Sequence, residues 1–306
     1  MRFRGTIAAL ACGLPLAVAP SAHALPDCTV NPPVVRPLLS GQGLLESAIV
    51  DRRGHLYFSS DAAGGSLIKL NRFGATPRPL ASAVGEMGGL AIHRSGDLLL
   101  GEGNSILGGT TGTLNPQARM LRMDTRTGAT RGYAAGLAMA NGVARMRNGT
   151  LFASDDFGIG IDRISPDREV ENVWADVVSG NGMAVGVHQR WLYVNQTFQP
   201  AAIQRVLIKD PSVVQTYFRP GPEDISAGLD GMARDARGNL FVTANAYGEL
   251  WRIGRDGSAC VVADGFSMPS AVAVGHRKRN FRRGNLYVVD FGGNVVELLG
   301  GMNTRP

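Results

Sequence analysis

Four residues stand at matching places in a repeated pattern and carry one kind of chemistry. Glu46, Asn141 and Asp230 each lie ten positions before a leucine that recurs along the chain, and Asn181 lies eleven before its own. Two carboxylates and two side-chain amides are all hard oxygen donors. That set suits Ca²⁺, which takes six to eight oxygens at roughly 2.3–2.6 Å, with waters completing the shell. Zn²⁺, Mg²⁺ and Mn²⁺ stand behind Ca²⁺, since zinc more usually recruits His or Cys and neither occurs at this offset. Taken singly, Asn141-Gly142, Asn181-Gly182 and Asp230-Gly231 also read as ordinary turn dipeptides. Together they are harder to explain that way, because an unneutralised Glu–Asp pair near a closed axis is costly to bury.

The pattern that positions them is a turn, usually with Gly, followed by a short β-rich apolar run. It occurs as Gly54-His55-Leu56-Tyr57-Phe58, Gly96-Asp97-Leu98-Leu99-Leu100, Gly149-Thr150-Leu151-Phe152, Arg190-Trp191-Leu192-Tyr193-Val194, Gly238-Asn239-Leu240-Phe241-Val242 and Gly284-Asn285-Leu286-Tyr287-Val288. The leucines at 56, 98, 151, 192, 240 and 286 are separated by 42, 53, 41, 48 and 46 residues. A period of roughly 40–50 residues with several strands per unit is the signature of propeller blades. The expected fold is all-β: a six-bladed β-propeller with four-stranded blades. The last blade is one strand short, so residues 34–40 are expected to supply its outer strand and close the ring. Pro37 fits such an edge strand. Equivalent positions of radially repeated blades face the axis, so the four donors should converge on it. The second blade holds Gly88 at the donor position, and the sixth has its equivalent near Ser270.

The chain has 306 residues, 44% hydrophobic and 18% charged, with 41 glycines. Arg2 and Arg4 precede an apolar stretch over 6–20, and Ser21-Ala22-His23-Ala24 ends in an A-x-A pattern. This predicts a signal peptide, residues 1–24, cut after Ala24. A propeller domain then fills 25–306, secreted or periplasmic, with no membrane span after cleavage. Cleavage leaves Cys28 and Cys260, expected to pair as one disulfide that pins the closing strand. The formal charge of +6 falls to +4 once Arg2 and Arg4 are removed. The basic residues are scattered except for 276–283, which read as a solvated hairpin loop. Nothing accompanies them that marks a nucleic-acid binder. A monomer acting on a small molecule is expected. Asn148-Gly149-Thr150 and Asn195-Gln196-Thr197 match glycosylation acceptors, a pattern common by chance.

The sequence resembles the gluconolactonase, regucalcin (senescence marker protein) and luciferin-regenerating enzyme superfamily, whose fold diisopropylfluorophosphatase shares. The resemblance is best over Leu44-Leu45-Glu46 to Ser59, Asn141-Gly142 to Phe152, Asn181-Gly182 to Val194 and Leu229-Asp230-Gly231-Met232 to Val242. In that family the matching Glu, Asn, Asn and Asp hold a catalytic divalent ion, which implies the same role for Glu46, Asn141, Asn181 and Asp230. Many sugar-lactone members carry Arg two residues before the first Asn and an acidic residue after it. Met139 and Gly142 occupy those places, which turns the reading away from a sugar-acid lactone. A glycine-rich insertion, Gly101 to Gln117, is placed to cover the channel mouth, and Met139 and Met183 suggest a more apolar pocket.

The activity expected is metal-dependent hydrolysis of a cyclic ester, with Asp230 as metal ligand and general base and Glu46 second. Two other readings use the same fold: a phosphoester or phosphorofluoridate hydrolase on the same site, and a non-catalytic ligand-binding propeller with a structural ion. No G-x-S-x-G elbow or Cys–His pair offers a covalent nucleophile. His55 and His93 fall in or near hairpins and are read as surface or satisfied residues.

Overall fold

The computed structural model describes residues 25–61, 65–82, 85–276 and 280–306. The expected signal peptide, residues 1–24, lies outside the described residues, as do 277–279 of the basic loop. The strands come in chain order. β1 (Val34–Leu39) precedes the first blade, β2 (Leu45–Val50), β3 (Leu56–Ser60), β4 (Ser66–Leu70) and β5 (Arg78–Ser82). The second blade holds β6 (Met87–Ile92), β7 (Leu98–Glu102), the short helix α1 (Ile106–Gly112), β8 (Ala118–Met123) and β9 (Thr130–Leu137). The third holds β10 (Val143–Arg145), β11 (Leu151–Ser154), β12 (Gly160–Ile164) and β13 (Val170–Asp176). The fourth is β14 (Gly180–Val185), β15 (Trp191–Gln196), β16 (Ala202–Leu207) and β17 (Val214–Phe218). The fifth is β18 (Leu229–Arg234), β19 (Leu240–Ala244), β20 (Glu249–Ile253) and β21 (Ala259–Ala263). The sixth begins with β22 (Pro269–Val274), β23 (Leu286–Asp290) and β24 (Val295–Leu299).

Each blade is a four-stranded antiparallel meander, and the sixth takes β1 as its outer strand in the order β1-β24-β23-β22. The chain is therefore a six-bladed β-propeller closed by its N-terminal strand. Pro37 lies in that outer strand beside a register shift, where no inner neighbour needs its missing N–H.

Five of the shared leucines begin the second strand of a blade, Leu192 is the second residue of its own, and all six are fully buried. Alternation along these strands sends successive side chains to opposite faces. Leu56 and Phe58 pack against Tyr287 and Val289 of the sixth blade, whereas Tyr57 packs against Leu98 and Leu100 of the second. Six such core clusters recur, one at each blade–blade interface. Each fully buried leucine contributes roughly 1.5–3 kcal/mol.

Cys28 and Cys260 form a disulfide with Cα atoms 5.1 Å apart, and Cys260 lies in β21. Backbone bonds run beside it, from Cys28 N to Val261 O and from Val261 N to Pro26 O. The segment ahead of the closing strand is thus tied to the fifth blade while β1 completes the sixth.

Candidate functional site

Every inner strand starts at one face of the ring and ends at the other. Glu46, Asn141, Asn181 and Asp230 stand at or just before the starts of β2, β10, β14 and β18. All four line a single axial cavity of about 70 Å³. All four are buried or half-buried there. Gly88 and Ser270 hold the equivalent places in the second and sixth blades, and Ser270 lines the same cavity.

The glycines that follow the donors are not turn residues. Gly142, Gly182 and Gly231 lack the left-handed φ of the turn glycines. They stand where neighbouring inner strands nearly touch. A Cβ on Gly142 would lie 2.3 Å from Asn181 O, and one on Gly182 would lie 2.3 Å from Asp230 O. Only glycine fits such an approach. Polar side chains of the second strands sew the ring together at this level. Ser154 Oγ donates to Asn181 O at 2.8 Å, and Asn195 Nδ2 donates to Asp230 O at 2.6 Å. Asn195 is fully buried by that role, so its glycosylation motif is sealed in the folded protein.

Each donor is fixed by its neighbours. Asn104, from the loop leading into α1, donates Nδ2 to Glu46 Oε1 at 3.2 Å. Asn245 Nδ2 donates to Asp230 Oδ2 at 3.1 Å, and the Asn181 side chain also bonds to Asp230. Asn181 Nδ2 donates to Thr197 Oγ1 at 3.0 Å. The Asn141 side chain bonds to the carboxylate of Asp156. With their N–H groups turned to protein acceptors, Asn141 and Asn181 offer their carbonyl oxygens to the channel.

The electrostatics are unusual for a purely structural ring. Burial pushes Glu46 up to about 7, with the charge of Asp156 adding to the effect against the lowering bond from Asn104. Asp230 is held well above the ordinary carboxylate range by burial and then by Glu46 and Asp156. Asp156 itself is pushed up to about 7, by burial and then by Asp155, which burial raises to about 6. Asp156 Oδ1 and Asp155 Oδ2 are buried with no hydrogen-bond partner. No cationic side chain figures among the groups acting on Glu46, Asp156 or Asp230. Orphaned oxygens and mutually repelling carboxylates are what a cation would relieve. Among the described residues no three His, Cys, Asp or Glu side chains cluster tightly enough to form a metal centre by themselves. Any cation there needs the amides of Asn141 and Asn181 beside the carboxylates, and that mixed oxygen set fits Ca²⁺ chemistry.

Asp155, Asp156, Asn104 and Asn245 are the neighbours that the donor offset alone does not reveal. All four follow the end of a second strand, which returns the chain to the donor face, and none sits at the repeated offset. Met183 lines the channel beside the donors and packs between the third and fourth blades. Met139 is buried, and its Sδ lies 2.8 Å from where a Cβ on Gly109 of α1 would stand. The insertion therefore docks on the third blade beside Asp155 and Phe157. His55 Nδ1 lies 3.0 Å from Asp51 Oδ2 and His93 Nδ1 lies 2.8 Å from Ser95 Oγ, both in hairpins of the opposite face.

The exposed apolar residues are concentrated on the donor face. Leu107 (74% exposed), Leu114 (91%) and Phe198 (61%) stand in connections between second and third strands, as does Ile159. Ile225 and Met268 precede β18 and β22 on the same face. Beside Glu46 a cavity of about 310 Å³ opens between the first two blades, bordered by Leu44, Ser59, Met87 and Asn104.

Residues 44–291 match the family described as SMP-30/gluconolactonase/LRE-like region. Among solved structures, a gluconolactonase from Xanthomonas campestris aligns with a TM-score of 0.71 at 17% identity, covering 92% of this chain and 96% of that one. A calcium-binding protein, regucalcin, from Agrobacterium tumefaciens aligns at 0.65 and 17%, covering 87% and 94%. A luciferin-regenerating enzyme aligns at 0.66 and 15%, covering 89% and 97%. No curated protein matches the chain. With the propeller, the donor ring and a match across most of its length, the chain belongs to the SMP-30/gluconolactonase/LRE-like family.

Proposed function

We propose that this protein is an exported, metal-dependent hydrolase of cyclic esters. The observation that carries the reading is the meeting of Glu46, Asn141, Asn181 and Asp230 around one axial cavity, with Asp156, whose Oδ1 has no partner, bonded to Asn141 beside them. Glu46, Asn141, Asn181 and Asp230 would hold the cation, Ca²⁺ by donor chemistry, and Asp156 would add a fifth oxygen. When bound, the cation supplies positive charge that polarises the ester carbonyl and makes water more acidic.

The side chains account for the rest. Asp230 accepts the proton of the attacking water, with Asn245 and Asn181 fixing its carboxylate. The water oxygen bonds to the carbonyl carbon, the ring C–O bond breaks, and the released oxygen takes up a proton to give a hydroxy acid. Glu46, held by Asn104, is the second candidate for the base. The apolar rim of Leu107, Leu114 and Phe198 favours a lactone with an aliphatic arm over a polyhydroxylated ring. Export is supported by the residues 1–24 pattern and by the Cys28–Cys260 disulfide. No helix among the described residues is long and apolar enough to cross a membrane.

The test is a panel of lactones, aryl esters and phosphotriesters, run with Ca²⁺ and with chelator. Lactone opening that is lost in chelator, while the far-ultraviolet circular dichroism is retained, supports the reading. Turnover of phosphotriesters alone moves the chemistry to phosphorus. No turnover of any substrate at any Ca²⁺ level rejects an enzyme.

A further inference from the structure

The other end of the channel has the opposite character. Counting along the inner strands, the donors occupy the first layer. Ala48, Leu90, Val143, Met183, Met232 and Val272 form an apolar collar that lines both the axial cavity and a wider one beyond it. Arg145 and Arg234 end β10 and β18, each four residues past a donor of the first layer, Asn141 and Asp230. Both arginines line the wider cavity, of about 370 Å³, together with Arg147 and His276.

This cavity is lined by cationic groups and, among the described residues, by no Asp or Glu; Asp235 is the acid that acts on Arg234. Arg145 feels the charges of Arg52 and Arg94, and Arg234 feels that of Arg147, so five arginines from four blades lie within electrostatic reach of the site. Both inner arginines are pushed below the ordinary guanidinium range, by burial above all and then by these like charges. The ion pairs of the described residues involve neither Arg145 nor Arg234. Arg145 Nε is buried and has no acceptor. The nearby acids are already engaged. Asp51 accepts from Arg53 N, His55 N and Tyr57 Oη, and Asp235 accepts from Arg237 N, Asn239 N and Asn239 Nδ2. Arg234 donates Nε to Val185 O at 2.8 Å and Nη1 to Asp235 O, which leaves its Nη2 and the terminal nitrogens of Arg145 for the cavity that both residues line.

We propose that this cavity is an anion-binding site for a small multivalent oxyanion of the phosphate class, on the face of the propeller opposite the carboxylates. Arginine forks match phosphate oxygens in pairs, and several converging in a walled pocket focus the field on one ligand. The cavity volume falls in the range of small-molecule sites. The apolar collar separates this ligand from the donor ring, so occupancy does not depend on the lactone chemistry or on a cation.

Calorimetric titration of the full-length protein in chelator with inorganic phosphate and pyrophosphate tests this. Sodium chloride at equal ionic strength is the control. Saturable one-to-one binding is expected, tighter for pyrophosphate and weakened about tenfold or more by Arg145→Gln. Pyrophosphate should also protect Arg145 and Arg234 of the unaltered protein from phenylglyoxal, read by peptide mass spectrometry, while exposed residues such as Arg131 stay reactive. That second measurement needs no variant to fold. No binding, equal binding by Arg145→Gln, or protection spread evenly over all arginines overturns the proposal. So does binding of duplex DNA by a protein that ignores pyrophosphate.

Discussion

The side-chain amide of Asn104 donates to Glu46 across a blade boundary, at 3.2 Å. The second blade has only Gly88 where other blades carry an oxygen donor, and Asn104 reaches in from the end of that blade's second strand. A hydrogen bond to a charged group contributes roughly 1.5–3 kcal/mol. Asn104→Ala is therefore expected to weaken Ca²⁺ binding about tenfold while leaving the melting temperature in chelator near that of the parent. Titration calorimetry reads the first and scanning calorimetry the second. Unchanged affinity would mean that Glu46 is placed without Asn104.

The raised carboxylates fix the sign of a pH effect. Glu46 and Asp156 are pushed up to about 7 in the folded chain, and Asp230 is raised well above its ordinary value. Such groups bind protons more tightly folded than unfolded. Their contribution to stability is complete below the unfolded carboxylate value near 4 and is lost as pH rises through about 7. In chelator the melting temperature should rise as pH falls from 8 to 5. Saturating Ca²⁺ should flatten or invert that slope, because a cation stabilises the ionised forms. A chelated protein that is most stable at pH 8 would contradict this.

These assignments divide cleanly by how much of each was written in the repeat. Leu56, Leu98, Leu151, Leu192, Leu240 and Leu286 repeat because each stands at or next to the start of the same buried strand, so the six blades and their closure by β1 could be read from spacing. Three donors keep one offset for the same reason, and Asn181 departs from it by one residue. Asp156 and Asn245, beyond the ends of β11 and β19, each lie five residues after a shared leucine, as Asp61 and Thr197 do, a second offset that the donor pattern does not include. Their signal was topological: a second strand that starts at one face must finish at the donor face. The glycines after the donors were ambiguous between turn and close approach until neighbouring strands fixed the distance. Asn195 shows the converse, since its acceptor motif is intact but its side chain is consumed within the ring.

The apolar rim predicts substrate preference. Phe198 stacks at 5.0 Å on Phe157, which lies beside α1, and Leu107 projects from the helix. Burying such a side chain against a ligand contributes on the order of 1–2 kcal/mol. Lactones with a long aliphatic arm should be opened with higher kcat/KM than gluconolactone. Phe198→Ser and Leu107→Ser should each lower kcat/KM for the long-arm substrate about five- to thirtyfold and leave a short, unsubstituted lactone unaffected. Equal losses on both substrates would place these residues in the fold rather than in recognition.

The disulfide closes a loop spanning 232 residues between Cys28 and Cys260. Chain-entropy arguments put its contribution at about 5 kcal/mol at most. Cys28→Ser with Cys260→Ser should lower the melting temperature by several degrees. Hydrogen exchange in the double variant should open first at β1 and the segment before it, because that segment's backbone bonds to β21 lose their anchor. Uniform loss of protection over all six blades would contradict the anchoring role.

The most direct measurement is calorimetric titration of Ca²⁺ into chelator-stripped protein, for the parent and for Asp230→Asn and Glu46→Gln. Those variants keep side-chain volume and remove one charge each. The parent should bind one ion per chain, and each variant should lose that binding by at least tenfold while remaining folded. Undiminished Ca²⁺ binding by both variants, or none by the parent at millimolar Ca²⁺, would show that the axial oxygens do not hold a cation.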